Sequence, residues 1–302
     1  MHRFLLHNDE IRDARERIVS PGQLGLLNGW GVFSTLRIYD GVMFAWERHF
    51  ARMRRDAERL RVPFPQDPEW LKTRLDRLIE KNQASNATLR VAIVRNRGGE
   101  WLKLWEGPDL DREFDVIAFT GDVNRSGAGA RLGVIANARY AANEFAGVKY
   151  LAWSQNLTWF ERAHEQGFDE VVLLNERGEV AECTSANIFA VNGSSMNGAG
   201  VWTPPLESGC LAGVTRATLL EDVRIEGIGI GEKTLTLKDL EAADEVFLTS
   251  TTRELLSVAS IEGLKLREPR EPRESVRERL QAAFSGHVRA YISTRHAIAA
   301  VR

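Results

Sequence analysis

Residues 146–157, AGVKYLAWSQNL, place one lysine, Lys149, in a run that is otherwise apolar or uncharged. Two readings fit such a lysine. Its stem can lie along apolar surface with the ammonium in water. Or it is an amine held partly out of water for a chemical purpose, because burial disfavours the ammonium and releases the free amine that a Schiff base needs. Val148, Leu151 and Trp153 are the neighbours that would supply those surroundings. The segment alone leaves both readings open.

Outward from the lysine, LGVIANA (132–138) reads as a strand and NLTWFERAHEQG (156–167) as a helix. DEVVLLNERGEVAECTSANIFAV (169–191) reads as two strands around an Asn-Glu-Arg-Gly turn, with a loop at 192–200. A helix is expected at 213–224, just after a glycine, and a strand at 244–252 that ends in a hydroxyl-rich turn. Residues 267–293 begin charged and proline-broken and end as an amphipathic helix. Towards the N-terminus, residues 30–46 read as a hairpin about Tyr39-Asp40-Gly41. The helix expected at 47–62 has apolar positions Phe50, Met53, Ala57 and Leu60 and stops at Pro63 and Pro65. A second helix is expected at 69–82, and strands at 87–96 and 114–120. GDVNRSGAGAR is small and polar, so the division is a small N-terminal α/β domain at 1–120, a linker at 121–131 and a larger domain at 132–302. The class is α/β with mixed sheets, because hairpins interrupt the alternation of strands and helices.

The chain has 302 residues, 43% of them hydrophobic, enough for substantial cores. A formal charge of −2 gives no basic field for nucleic acid or an anionic membrane. Cys183 and Cys210 are the only cysteines, too few for a disulfide framework. The opening MHRFLLHNDE lacks a signal peptide's apolar core, and no run reaches the roughly 18 apolar residues of a membrane span. A cytoplasmic setting is expected.

Glu182 lies 33 residues beyond Lys149, in EVAECTSANIF. It is either an outward-facing strand position or a carboxylate set against a pyridinium nitrogen. The second role keeps that nitrogen protonated, as the electron sink of carbanion chemistry requires, and implies pyridoxal phosphate. A phosphate needs a cradle. Gly213, Val214 and Thr215 stand at a predicted helix start, where unpaired N–H groups and the helix dipole favour an anion. Thr249-Ser250-Thr251-Thr252 offers amides and hydroxyls, or is a solvated turn. Arg52 could clamp a phosphate with its fork, or be one more arginine on a basic helix face.

Six segments in order, GWGVFSTLRIYDG, HFARM, VKYLAWSQNL, GEVAECTSANIF, PPLESGCLAGVTR and DEVFLTSTT, resemble the fold-type IV pyridoxal-phosphate enzymes over roughly residues 25–260. Those enzymes include branched-chain and D-amino-acid aminotransferases, (R)-selective amine transaminases and aminodeoxychorismate lyase. The resemblance implies two α/β domains with the active site between them and a homodimer. It implies that Lys149 forms the Schiff base and Glu182 pairs with the pyridine nitrogen. Arg52, Val214, Thr215 and Thr251 would hold the phosphate, and Ser250, Thr251 and Thr252 would lie beside the substrate. One departure stands out: where the family often carries a tyrosine after the lysine, this chain has Trp153, whose indole donates but does not titrate.

Three activities follow from the resemblance. The first is an aminotransferase for amino acids or amines with an apolar side chain, passing the amino group to a 2-keto acid by ping-pong kinetics. The second is aminodeoxychorismate lyase, favoured by Thr35, a hydroxyl able to help shuttle a proton. The third is a non-catalytic cofactor-binding homologue, which the intact Lys149 and Glu182 disfavour. Arg37 and Arg90, on first-domain strands, are candidates for a substrate carboxylate, or else ion-pair partners. Arg95, Arg97, Trp101 and Trp105 lie on a loop that could reach the site. Gly29-Trp30-Gly31 lacks the strand–glycine–helix context of a dinucleotide fingerprint. Gly227, Gly229 and Gly231 read as a tight connection. The six histidines show no metal-ligand spacing with the cysteines, so no metal is expected.

Overall fold

The computed structural model describes residues 1–20, 22–98, 112–124, 127–194, 198–267 and 275–300. Trp101 and Trp105 lie outside the described residues. The chain divides into two compact units: Met1–Val123 with Val148–Trp153 and Ile292–Arg302, and Asn124–Gly147 with Ser154–Tyr291.

The first unit is built on a six-stranded antiparallel sheet ordered β2-β1-β6-β5-β3-β4. Its strands are β1 (Phe4–His7), β2 (Glu10–Asp13), β3 (Gly31–Tyr39), β4 (Val42–Met43), β5 (Ala87–Arg95) and β6 (Phe114–Gly121). Asp40 (φ 48°) and Gly41 (φ 77°) both take the left-handed conformation that a two-residue hairpin turn demands. On β5, Ala87, Leu89, Val91 and Ile93 are buried while Thr88, Arg90 and Ala92 are half-buried. The buried side joins Leu36 and Ile38 of β3 and packs with α2 (Trp46–Arg59) and α3 (Pro68–Lys81). Phe50, Met53 and Ala57, read as one apolar stripe, are in that core. Asp67 caps α3 by accepting from the Glu69 N–H at 2.9 Å, with Pro68 at the first helical position. The other side of the sheet carries Phe33, Thr35 and Arg37 from β3 and Arg90 from β5.

The lysine segment lies with this first unit, although the sequence reading put it in 132–302. It runs beside the start of β3: Phe33 N–H donates to Lys149 O at 3.1 Å and Leu151 N–H to Gly31 O at 2.9 Å. Gly29 and Gly31 permit the approach. A Cβ at Gly29, already at φ 62°, would sit 2.8 Å from Ala152 Cα, and one at Gly31 2.6 Å from Leu151 Cδ1. The Gly-Trp-Gly stretch, preceded by the short helix α1 (Leu24–Asn28), is therefore a landing place for the lysine strand.

The second unit holds an eight-stranded mixed sheet ordered β12-β11-β10-β13-β14-β7-β8-β9. Its elements are β7 (Ala130–Arg139), α4 (Ser154–Glu165), β8 (Glu170–Asn175), β9 (Val180–Cys183), β10 (Asn187–Ser194), β11 (Gly198–Thr203), α5 (Val214–Glu221), β12 (Ile228–Glu232), α6 (Leu237–Ala242), β13 (Glu245–Ser250) and β14 (Glu254–Ile261). The last helix, α7 (Val276–Ala300), starts here and counts with the first unit from Ile292. Pairs β7–β8, β7–β14 and β11–β12 are parallel and the rest antiparallel, the mixed character expected. Its core includes Leu132, Val172, Ile188, Ala190, Val246 and Leu248.

Three local expectations are corrected. Residues 169–191 form most of three strands rather than two, because the chain turns at 183–186, where Cys183 N–H donates to Ala186 O. The loop placed at 192–200 is largely a continued hairpin, with Asn192 opposite Gly200 and Gly193 opposite Ala199. Of the alternating glycines read as a tight connection, Gly227 (φ 74°) does stand in a turn, but Gly229 and Gly231 lie in the edge strand β12, where Gly231 leaves room for the Trp202 ring. Among the described residues, no helix is long and apolar enough to cross a membrane.

Candidate active site

In the first unit the site begins at Lys149. Its Nζ lies 4.4 Å from the centre of the Phe33 ring and 4.6 Å from that of Trp153. The two rings meet edge to face, 5.6 Å apart. Trp153, the departure noted in the sequence, thus faces the lysine and packs against its ammonium. The backbone of Lys149 is held from α2: its N–H donates to Asp56 Oδ2 at 3.1 Å. Asp56 is buried and also accepts from Arg55 at 2.7 Å.

One turn before Asp56, Arg52 is buried and donates from Nη2 to Ser34 Oγ at 2.7 Å. Ser34 Oγ is in turn 2.8 Å from Nδ1 of the buried His49. Arg52 occupies one of the hydroxyl's two lone pairs, so the contact with His49 Nδ1 can run in either direction according to the imidazole tautomer. Burial, then Arg52 and Lys149, push the His49 pKa well below 6.5. Burial also brings the Arg52 guanidinium down to about 10, which leaves it cationic at neutral pH. Stability follows. Above pH 6.5 His49 is neutral folded or unfolded. Below it the unfolded chain takes a proton that the folded chain refuses, so stability falls as pH falls. The loss from this group approaches about 1.4 kcal/mol per pH unit. Denaturant titrations at pH 7.5 and 5 should show the wild type losing more stability than His49→Gln, and equal losses would contradict the neutral assignment.

The two arginines proposed for a substrate carboxylate separate. Arg37 is buried and donates from Nη1 to Ile38 O at 2.8 Å and Ala87 O at 2.9 Å, and from Nη2 to Asn86 Oδ1. Its guanidinium is a brace for the β3–β5 edge, so Arg37 is withdrawn as a substrate handle. Arg37→Met should destabilise the fold by about 1–3 kcal/mol, by stranding buried carbonyls, with KM unchanged in steady-state kinetics. Arg90 differs. It is half-buried, its Cζ stands 3.9 Å over the Phe33 ring, and no carboxylate pairs with it among the described residues. Burial alone lowers its pKa. Thr35 is its cross-strand partner, on the same side of the sheet. Arg95 instead packs on Trp30 and donates to the carbonyls of Arg61 and Arg97.

In the second unit, Glu182 lies on β9 and is buried. Oε1 accepts from Arg139 Nε at 2.9 Å and Oε2 from the Leu211 N–H at 3.0 Å. Each oxygen keeps a further lone pair for a ring N–H. Arg139 was missed in the sequence: it ends β7, 43 residues from its partner, and no local pattern marks it. Helix α5 opens at Val214 and Thr215, both buried, with Gly213 as N-cap, no side-chain cap bond and no acidic residue in its first turn. A Cβ at Gly213 would run into Asn187 Oδ1, and Asn187 is opposite Thr249. The Thr249 hydroxyl is buried with no hydrogen-bond partner among the described residues. Ser250, Thr251 and Thr252 follow at the β13–β14 turn, all half-buried. An uncapped helix start and a buried unpaired hydroxyl suit an anion with several acceptor oxygens.

Neither cysteine is poised as a nucleophile. Burial, then nearby Glu182, pushes Cys210 to about 11, and burial, then Glu170, holds Cys183 well above the usual thiol range. Among the described residues no cluster of three His, Cys, Asp or Glu could hold a metal.

Residues 31–261 match the family Amino-transferase class IV. A D-alanine aminotransferase of Bacillus licheniformis is 28% identical over 86% of this chain and 88% of its own. A branched-chain-amino-acid aminotransferase of Salmonella typhimurium is 28% identical over 94% of this chain and 92% of its own. The crystal structure of the Escherichia coli branched-chain amino acid aminotransferase covers 95% of both chains with a TM-score of 0.83 at 26% identity.

Proposed function

The chain belongs to the class IV aminotransferases, whose cofactor is pyridoxal phosphate, and on that premise we propose that it moves an amino group between an amino acid with an apolar side chain and a 2-keto acid. Lys149 is the residue that binds the cofactor's aldehyde carbon. Glu182, fixed by Arg139, accepts the hydrogen bond of the ring nitrogen. Arg52, the start of α5 at Val214 and Thr215, and the turn at Ser250 and Thr251 hold the phosphate. The bound cofactor supplies an electron sink for the bond-breaking at the substrate's α-carbon.

The Lys149 side chain would act as the base that takes the proton from that carbon. Phe33 and Trp153 keep water from its flanks. The substrate carboxylate pairs with Arg90, which stands on the same aromatic ring as Lys149. That shared ring is the observation that carries the reading. It favours an amino acid over a simple amine, because a half-buried guanidinium without a carboxylate partner among the described residues gains most from an anionic ligand. Thr35, beside Phe33 on the strand face, supports a second reading, pyruvate elimination from aminodeoxychorismate. A homodimer is the proposed assembly.

The test is the visible absorption of the cofactor-loaded protein as single donors are added without a keto acid. Under this reading an apolar L- or D-amino acid bleaches the band, and the band returns only when a keto acid is added. The donor that acts names the hand. Pyruvate released from aminodeoxychorismate with the band unchanged would replace the first reading by the second. No response to any donor would overturn both.

A further inference from the structure

The second unit contains a buried carboxylate that the proposed chemistry does not use. Glu170, the first residue of β8, is fully buried. Its Oε1 accepts from the N–H groups of Val171 and Thr184, each at 3.1 Å, and from the Thr184 hydroxyl. Oε2 accepts from Ser185 Oγ at 2.5 Å and from Arg253 Nη1 at 2.8 Å. A carboxylate taken wholly out of water is costly unless its lone pairs are satisfied, and here they are. Apart from the Val171 amide on β8 itself, the donors come from two turns. Thr184 and Ser185 lie two and three residues after Glu182. Arg253 closes the turn that carries Ser250, Thr251 and Thr252, and its own N–H donates to Ser250 Oγ at 3.2 Å.

The same carboxylate ends a continuous chain of hydrogen bonds. Glu182 is held by Arg139, whose Nη2 donates to Asn156 Oδ1 at 3.2 Å. Asn156 Nδ2 donates to Thr184 O at 2.8 Å, and Thr184 N–H donates to Glu170. Glu182 and the hydroxyl turn, 68 residues apart at Ser250, are thereby joined through side chains rather than through the sheet alone.

We propose that Glu170 and Arg253 are a positioning pair. They hold the Ser250–Thr252 turn at a fixed place relative to Glu182, so that its amides and hydroxyls meet the cofactor's phosphate while the ring nitrogen meets Glu182. The proposal rests on the cofactor reading above. A positioning role has a signature that a merely structural one lacks: it acts on the phosphate and not on the ring. Loss of the pair should therefore cost affinity for pyridoxal phosphate and leave affinity for pyridoxal, which has no phosphate, unchanged.

The experiment titrates the full-length chain, stripped of cofactor, with pyridoxal phosphate and with pyridoxal. Wild type, Arg253→Met, Arg253→Lys and Glu170→Gln are compared by absorbance. The wild type should prefer the phosphorylated form. Arg253→Met should lose about tenfold or more of that preference, the scale of a charge-assisted hydrogen bond, and Arg253→Lys should recover part of it. If Arg253→Met fails to fold, Glu170→Gln supplies the same comparison, since its amide turns a donor towards Arg253. An equal loss for both ligands, or no loss for either, would overturn the pair's positioning role and leave the cofactor reading standing. A wild type that binds neither ligand would take down the cofactor reading and the pair with it.

Discussion

Lys149→Ala is expected to lose amino transfer by about 10³-fold or more, because on the proposed reading one amine would serve as both the covalent anchor and the proton carrier. The fold should survive. Lys149 gives the first unit two aromatic contacts, at 4.4 and 4.6 Å, and a half-exposed cation over a ring contributes only about 0.5–1 kcal/mol. Its backbone bonds to Phe33 and Asp56 do not depend on the side chain. Lys149→Arg sharpens the comparison. It keeps a cation against Phe33 and Trp153 but offers no amine at accessible pH. Both variants should be inactive, with unfolding midpoints near that of the wild type. An active Lys149→Arg would mean that the charge matters there and the covalent bond does not.

Arg90→Leu carries the second largest effect. If Arg90 pairs with the substrate carboxylate, KM for the amino acid and for the keto acid should each rise by about 30-fold or more, the cost of leaving one partner of a desolvated ion pair alone. Turnover at saturation should change less. Arg90→Lys should rescue little, because a point charge does not reproduce the planar fork. Stability should hold or rise, since the substitution removes a half-buried cation that has no carboxylate partner among the described residues. Unchanged KM values with a lower unfolding midpoint would instead make Arg90 a structural residue, as the structure makes Arg37.

The contrast between those two arginines marks how far the sequence could be read. Both stand on strands of period two, and the strands themselves were legible from alternation and from the Asp40-Gly41 turn. Which arginine finds its acceptors at home depends on Asn86 and on the carbonyls of Ile38 and Ala87, and no spacing encodes that. Lys149 and Glu182 could be singled out because each is an ionic residue in an apolar setting. Arg139, Asp56 and Glu170 could not, because an isolated charge on a strand or helix looks the same whether its partner is water or a residue 43 to 93 positions away. The break after Cys183 was hidden for the same reason. Thr184 and Ser185 bond to Glu170, and that carboxylate sits fourteen and fifteen residues earlier. Gly29 and Gly31 were legible as glycines, but their use, the close approach of Leu151 and Ala152, is a tertiary fact.

The most direct test of the central claim is to reduce the cofactor-loaded protein with borohydride and map the modified peptide by mass spectrometry. A covalent lysine–cofactor link becomes permanent on reduction. The account predicts a single adduct, on the peptide that carries Lys149 between Val148 and Tyr150. An adduct on another lysine, or none on a protein that has bound the cofactor, would contradict it.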